Sequence, residues 1–386
     1  MANSPAESRP DLRLERTMLV AGAIAAAIAI VIAVMQWQTF CEGYLAGLFL
    51  WIGAGFGGSY LLMTHHLTGG RWGWWIRRLL ESLSLSVVPL ALLFVPLLFG
   101  VRVIYPWTQG QTVHPHAVDD SWTYLNVPFF VTRSVVYAAI WCVVTLLLYR
   151  WSTRQDRDDT VDLQRRLTRI SSFGLIAMIL TVSFAAIDWI ASANPHWPST
   201  VFGLYVVAGQ TMTALSLIII LMSAAPQLEP ERTRMSPDRW HDLGNLQLLV
   251  VILYAYLAYA QYFIIWNGNL PHEITWYVQR QTGGWLAVVA LLAILHFLVP
   301  FAALLFRSVK RNPRSLAAVA WIVLAARMLD SAWFVLPSFE RTTWLTILTL
   351  VVVLIGVGGL WMGLVLWHVR QRQAVALALV SRGASP

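Results

Sequence analysis

The sequence predicts an all-α integral membrane protein of about ten transmembrane helices, and three observations carry that prediction. Hydrophobic residues make up 58% of the 386-residue chain and charged ones 12%, about half the charged share of a soluble domain. Apolar runs long enough to cross a bilayer recur along the whole chain, separated by polar or Pro/Gly-rich connectors. The arginines fall almost entirely into alternate connectors. This composition excludes a soluble enzyme, a disordered chain and a free nucleic-acid binder.

The runs fall at 17–35, 43–63, 82–100, 127–149, 170–190, 200–223, 245–266, 284–307, 315–335 and 344–368. They are read as helices because the hydrocarbon offers no water to satisfy an open backbone. Residues 1–16, polar and basic, form an expected cytoplasmic tail rather than a signal peptide, since no small-residue cleavage site follows the first apolar run. The ten-helix domain covers 17–368, and 369–386 is a second cytoplasmic tail. Glycines in G-A-G-F-G-G-S of span 2 permit close helix approach. Pro89 and Pro96 in span 3 and Pro300 in span 8 are expected to kink their helices.

With the N-terminus inside, 22 of the Lys and Arg residues lie in the tails and inner connectors, from Arg9 through Arg77, Arg154, Arg239 and Lys310 to Arg382. The outer connectors hold only Arg102, Arg280 and Arg341, with Arg133 and Arg327 inside spans. This is the positive-inside pattern, so the net charge of +8 reports orientation and requires no nucleic-acid partner. Both termini are expected in the cytoplasm.

Ionisable groups at membrane depth are costly and mark function or pairing. Arg133 in span 4, Asp188 in span 5, and Arg327 with Asp330 in span 9 all fall in the outer half. Arg327 and Asp330, three apart, share a helix face. They form either a buried outer-facing cavity that binds a quinone headgroup or passes protons, or a salt-bridge set that locks three helices. His296, near the middle of span 8, is a proton-path candidate or a hydrogen-bonded core histidine. The outer segments Asp188–Trp197 and Trp266–Tyr277 carry His196, Asn267, Asn269, His272 and Glu273. Their spacing matches no zinc or iron pattern, so they read as a hydrogen-bonded cap or a docking surface for another subunit.

Cys41 and Cys142 stand alone, outside any C-x-x-C or C-x-x-C-H pattern, so the chain has no ligand set for an iron–sulfur cluster or attached c-type haem. An intrinsic b-type haem would need two facing histidines at equal depth. His65, His66 and His368 sit at the inner edge, where solvated side chains are expected.

Four ordered runs carry a resemblance: Y-L-N-V-P-F-F-V-T-R (124–133), I-D-W-I-A-S-A-N-P-H-W-P-S-T-V-F-G-L-Y (187–205), Q-Y-F-I-I-W-N-G-N-L-P-H-E-I-T-W-Y (261–277) and R-M-L-D-S-A-W-F-V-L-P (327–337). Over spans 4 to 9 the chain resembles the ActF-type membrane subunit of bacterial alternative complex III, in the NrfD/polysulfide-reductase membrane-subunit group. The likeness in spans 1 to 3 is mainly one of topology. The resemblance implies ten helices with two four-helix bundles in the bacterial inner membrane, within a quinol:cytochrome c oxidoreductase. It implies no cofactor in this chain except, at most, quinone or quinol, with iron–sulfur clusters and haem c held by partner subunits on the outer face. The implied partners are lipid, a related NrfD-like membrane subunit, an iron–sulfur subunit and multihaem cytochrome c subunits. Arg133, Asp188, His196, Arg327 and Asp330 are the motif positions carried over, with a polar or proton-linked role expected ahead of direct quinol oxidation. Two further readings stand beside this one: a secondary transporter with an outer-facing charged cavity, and a structural scaffold.

Overall fold

A computed structural model describes residues 12–109, 124–155, 160–194, 199–224, 235–271, 273–339 and 342–381. Among them there is no strand, and ten helices are long and apolar enough to cross a membrane. The spans run Leu14–Met35, Trp37–Thr68, Trp72–Phe99, Val127–Gln155, Val161–Ala193, Phe202–Ala224, Pro237–Gly268, Trp285–Leu305, Pro313–Ser338 and Trp344–Arg372. Ten crossings return the chain to the face from which it starts. That side is the terminal face below and the opposite side the far face.

The helices exceed the apolar runs read from sequence, because polar residues continue them at both ends. Span 2 begins at Trp37, six residues earlier than its apolar run, and the first helix of span 3 begins at Arg71, eleven residues before its run. The last helix continues to Ser381, through the stretch expected to be a tail. Span 2 ends where Gly69 takes a left-handed conformation (φ 67°) and donates its N–H to the His65 carbonyl at 2.8 Å.

Spans 2 to 5 pack as one four-helix bundle and spans 6 to 9 as another, with spans 1 and 10 paired along their length beside span 2. Span 2 is central and buried along its whole apolar window. It touches spans 1, 3, 5, 6, 9 and 10. Small residues make this crowding possible. A Cβ on Gly57 would stand 2.1 Å from the Gln210 carbonyl oxygen of span 6. Where spans 1 and 10 cross, a Cβ on Gly22 would meet the Leu360 backbone nitrogen at 2.5 Å. In a membrane, where apolar side chains gain nothing by leaving lipid, backbone approach of this kind is a main source of association.

Two spans are interrupted where proline removes a donor. Span 3 breaks at Ser86 and again at Leu93–Phe94, around Pro89 and Pro96. The Leu97 N–H turns to the Phe94 carbonyl, and the freed Leu93 carbonyl accepts the Tyr44 hydroxyl at 2.7 Å. Span 8 widens into a π-turn over Ala293–Leu298, just ahead of Pro300. A proline ring collides with the carbonyl four residues earlier, here that of His296, and the wider turn relieves the collision. Around span 3 the outside of the molecule carries an apolar cleft of about 620 Å3, lined by residues such as Ala29, Trp37, Pro89, Pro96, Val357 and Trp361.

Candidate functional site

The four intramembrane charges separate into two centres, one per bundle. In the first, Arg133 lies two turns into span 4, and Asp188 occupies the last full turn of span 5. The guanidinium meets the carboxylate edge-on: Nε donates to Oδ2 at 2.9 Å and Nη2 to Oδ1 at 3.0 Å. Nη1 donates to the Tyr124 carbonyl at 2.9 Å, so every edge of the fork is used. Tyr137, one turn below Arg133, donates its hydroxyl to Asp188 Oδ2 at 2.9 Å. Rings of Tyr124 and Phe129 flank the guanidinium at 3.8 and 4.3 Å. Asp188 is fully buried.

The second centre draws on all four helices of its bundle. Arg327 and Asp330 form a short contact through Nη1 and Oδ2 on span 9. The Tyr254 hydroxyl of span 7 donates to Asp330 Oδ2 at 2.6 Å and accepts from Arg327 Nη1 at 3.1 Å. Arg327 Nε donates to Thr213 of span 6 at 3.2 Å. The guanidinium fits there because residue 209 has no side chain: a Cβ on Gly209 would lie 2.7 Å from its central carbon. From span 8, His296 stands edge-to-face with Tyr254 at 4.8 Å, buried, with Nε2 lacking a hydrogen-bond partner. The π-turn holds this ring inside the bundle. Tyr254 is thus bonded to both members of the ion pair and in ring contact with His296.

The two bundles meet through a hydrogen bond from the Tyr60 hydroxyl of span 2 to Gln210 of span 6, at 3.1 Å. Within the first bundle the Ser59 hydroxyl of span 2 donates to Ser84 of span 3 at 2.9 Å, and within the second Gln247 of span 7 donates to Ser216 of span 6 at 3.0 Å, all buried.

A third polar cluster, near the terminal face, was not foreseen. Glu81, expected in a connector, is buried in span 3 towards the terminal face and accepts from three arginines: Arg77 at 2.8 Å, Arg78 at 3.2 Å and Arg372 of span 10 at 3.0 Å. Ser152 of span 4 adds a short hydroxyl contact. The signal in the sequence was the R-R-x-x-E spacing, which brings Arg77 and Arg78 to Glu81 at i,i+4 and i,i+3. The nearby histidines are not solvated as expected. His65 is buried, His66 shares a hydrogen bond with Ser171 at 3.1 Å, and His368 shares one with Ser82 at 2.9 Å.

Arg280 also departs from its expected place. Counted as an outer-connector charge, it is fully buried. Its guanidinium donates to the carbonyls of Trp276 (3.1 Å), Trp333 (3.2 Å) and Phe334 (2.7 Å) and to Ser338 Oγ at 2.9 Å. The Trp276 ring covers it at 3.7 Å. Two of these carbonyls belong to the last turn of span 9, where the helix dipole is negative and favours a cation. Burial pushes the Arg280 pKa down, and the neighbouring Tyr277 phenol opposes that.

Of the expected docking surface, Asn267 and Asn269 are exposed on the far face and Glu273 is half-buried. Asn269 ends span 7 in a left-handed conformation (φ 47°). His196 and His272 lie outside the described residues. Among the described residues, no group of three His, Cys, Asp or Glu side chains gathers to hold a metal ion.

The fold and these centres define a multi-pass, all-helical membrane protein with buried ion pairs. No family model and no curated protein sequence matches the chain.

Proposed function

We propose that this chain is a membrane subunit of a bacterial respiratory quinol:electron-acceptor oxidoreductase, of the ActF-like kind that its motifs resemble. In this reading it supports quinol oxidation through a proton-linked role and is not catalytic alone. Its far face docks an iron–sulfur subunit and multihaem cytochrome c subunits, and a related membrane subunit lies beside it in the inner membrane. The observation that carries the reading is the second centre. A tyrosine hydroxyl stands between a carboxylate and a guanidinium, in contact with a partnerless imidazole, inside a closed bundle. An ion pair serving only to lock helices needs neither the tyrosine bridge nor the histidine. Groups that exchange protons need both, since hydrogen-bonded neighbours of different basicity are what a proton moves between.

The test is purification of the tagged full chain from its native membrane in mild detergent. Co-elution with an iron–sulfur subunit and a c-type haem spectrum is expected. In that complex Asp330→Asn is expected to lower quinol turnover at least about tenfold with assembly intact, the scale of losing one proton-transfer group. A colourless chain without partners refutes the reading.

One observation favours the transporter reading: the interrupted spans 3 and 8 occupy the same position in the first and second five-span halves. The packing divides differently, into spans 2–5 and 6–9. Those two bundles begin with helices of the same direction, which is not the inverted relation that alternating access most often uses.

A further inference from the structure

Four buried carboxylates of the spans have an arginine partner: Glu15, Glu81, Asp188 and Asp330. Glu42 does not. It lies five residues into span 2, about 8 Å below the start of the helix at the far face. It is 5% exposed, and among the described residues no cation comes within ion-pair distance. Its neighbours are neutral donors. Gln38 Nε2 points at Oε1 at 3.3 Å, and the Thr346 hydroxyl of span 10 at Oε2 at 3.5 Å.

The carboxyl also lines a cavity of about 400 Å3 at the far face, between the starts of spans 2 and 10 and the segments that follow spans 3 and 9. Hydroxyl and amide groups of Gln38, Thr39, Thr343, Thr346, Ser338 and Gln109 share the lining. Among the described residues, charged and titratable groups on the surrounding elements point elsewhere. Arg102 is exposed, Arg280 is spent on Ser338 and three carbonyls, Tyr105 donates to the Trp189 carbonyl, and the buried Cys41 thiol packs at Gly100.

A carboxylate without a countercharge in a low-dielectric site must acquire a positive partner, and the candidates are a metal ion or a proton. Both oxygens face hydrogen-bond donors, and no second carboxylate is among the described lining residues, so the site suits a proton better than a metal ion. A proton needs only one lone pair. We propose that Glu42 is a proton-exchange site that opens to the far face: its carboxyl takes up a proton through the Gln38–Thr346 vestibule and returns it by the same route. This does not rest on the quinol-oxidoreductase reading, and its test is independent of any partner subunit.

The experiment is labelling of the full wild-type chain in detergent with dicyclohexylcarbodiimide, which reacts with protonated carboxyls in apolar surroundings, followed by peptide mass mapping. Glu42 is expected to be modified. Asp188, Asp330 and Glu81, each paired with an arginine, are expected to stay unmodified. Modification should fall about tenfold per pH unit above the midpoint, the slope of a one-proton titration. An infrared carbonyl band that shifts in deuterium oxide should disappear in Glu42→Gln. Failure of Glu42 to react at any pH refutes the proposal. So does loss of the reaction on adding sodium or calcium ions at fixed pH, which would make the vestibule a metal-cation site.

Discussion

Replacing Arg133 by methionine keeps most of the stem volume and removes the countercharge of a fully buried carboxylate. Asp188 would retain one hydrogen bond of three, that from Tyr137. Removing one member of a buried pair costs about 3–5 kcal/mol, because the other charge is left without compensation. Asp188→Leu should cost less, about 2–3 kcal/mol: Arg133 lies near the far face, keeps the Tyr124 carbonyl and can draw its head outward along the Tyr124 and Phe129 rings. In the double variant neither charge remains. Its cost reduces to the orphaned Tyr137 hydroxyl and imperfect packing, about 1–3 kcal/mol. The double variant is therefore expected to be more stable than Arg133→Met alone. A coupling of about 3 kcal/mol or more would separate this from additivity. The assay is unfolding of the full chain in mixed micelles with increasing SDS, followed by tryptophan fluorescence. Additive losses would refute the claim that these two groups compensate each other inside the bundle.

Gly57→Ala should cost at least about 2 kcal/mol in the same assay, because its methyl meets the backbone of span 6 and backbone cannot rotate away. Gly268→Ala, with open space around it, should change little. Arg280→Met removes charged donors from three carbonyls and is expected to cost about 2–4 kcal/mol, with faster hydrogen exchange confined to 333–338; Arg280→Lys should not restore it, lacking the planar fork. Burial pushes the Tyr277 phenol above its usual value near 10. The folded chain therefore holds that proton more tightly than the unfolded chain. The sign follows: stability is unaffected below about pH 10 and falls as pH rises beyond it, and Tyr277→Phe should flatten that decline when unfolding is measured against pH.

The helix count was legible because spanning length and hydropathy are local properties of the chain. The ionisable residues were legible only where an apolar run surrounded them. Arg133, Asp188, Arg327 and Asp330 stood out as charges inside such runs, whereas Glu42 and Glu81 sit at run edges and read as connector. Both are buried because the helices outlast the apolar runs and neighbouring spans cover the extra turns. Which charge meets which was not legible. Arg327 and Asp330 share a face by spacing alone, but Arg133 reaches Asp188 only because spans 4 and 5 are adjacent in the bundle. The role of Pro300 was half-legible. It signalled a distortion in span 8, while the wider turn holding His296 among spans 6, 7 and 9 depends on the packing of those spans.

The two centres bear on how the halves of the protein are related. Asp188 and Asp330 both lie in the final turns of the fourth helix of a bundle, and a short 3-10 segment follows each of those helices. Each accepts a tyrosine hydroxyl and an arginine from within its own bundle. The arginine and tyrosine come from different helices in the two cases. Arg133 and Tyr137 share the third helix of their bundle, whereas Arg327 lies on the fourth and Tyr254 on the second. What recurs is a carboxylate at one depth with one cation and one phenol; the helices that supply the partners do not recur. The partners also differ in access. Arg133 is ringed by side chains near the far face, while Arg327 is enclosed and joined to Thr213, Tyr254 and, through Tyr254, His296. If both pairs only fixed helix positions, neutral apolar replacement of both members should be tolerated equally in the two bundles. The Tyr254 bond to Arg327 as well as Asp330, and its ring contact with His296, argue that the second bundle will not tolerate it.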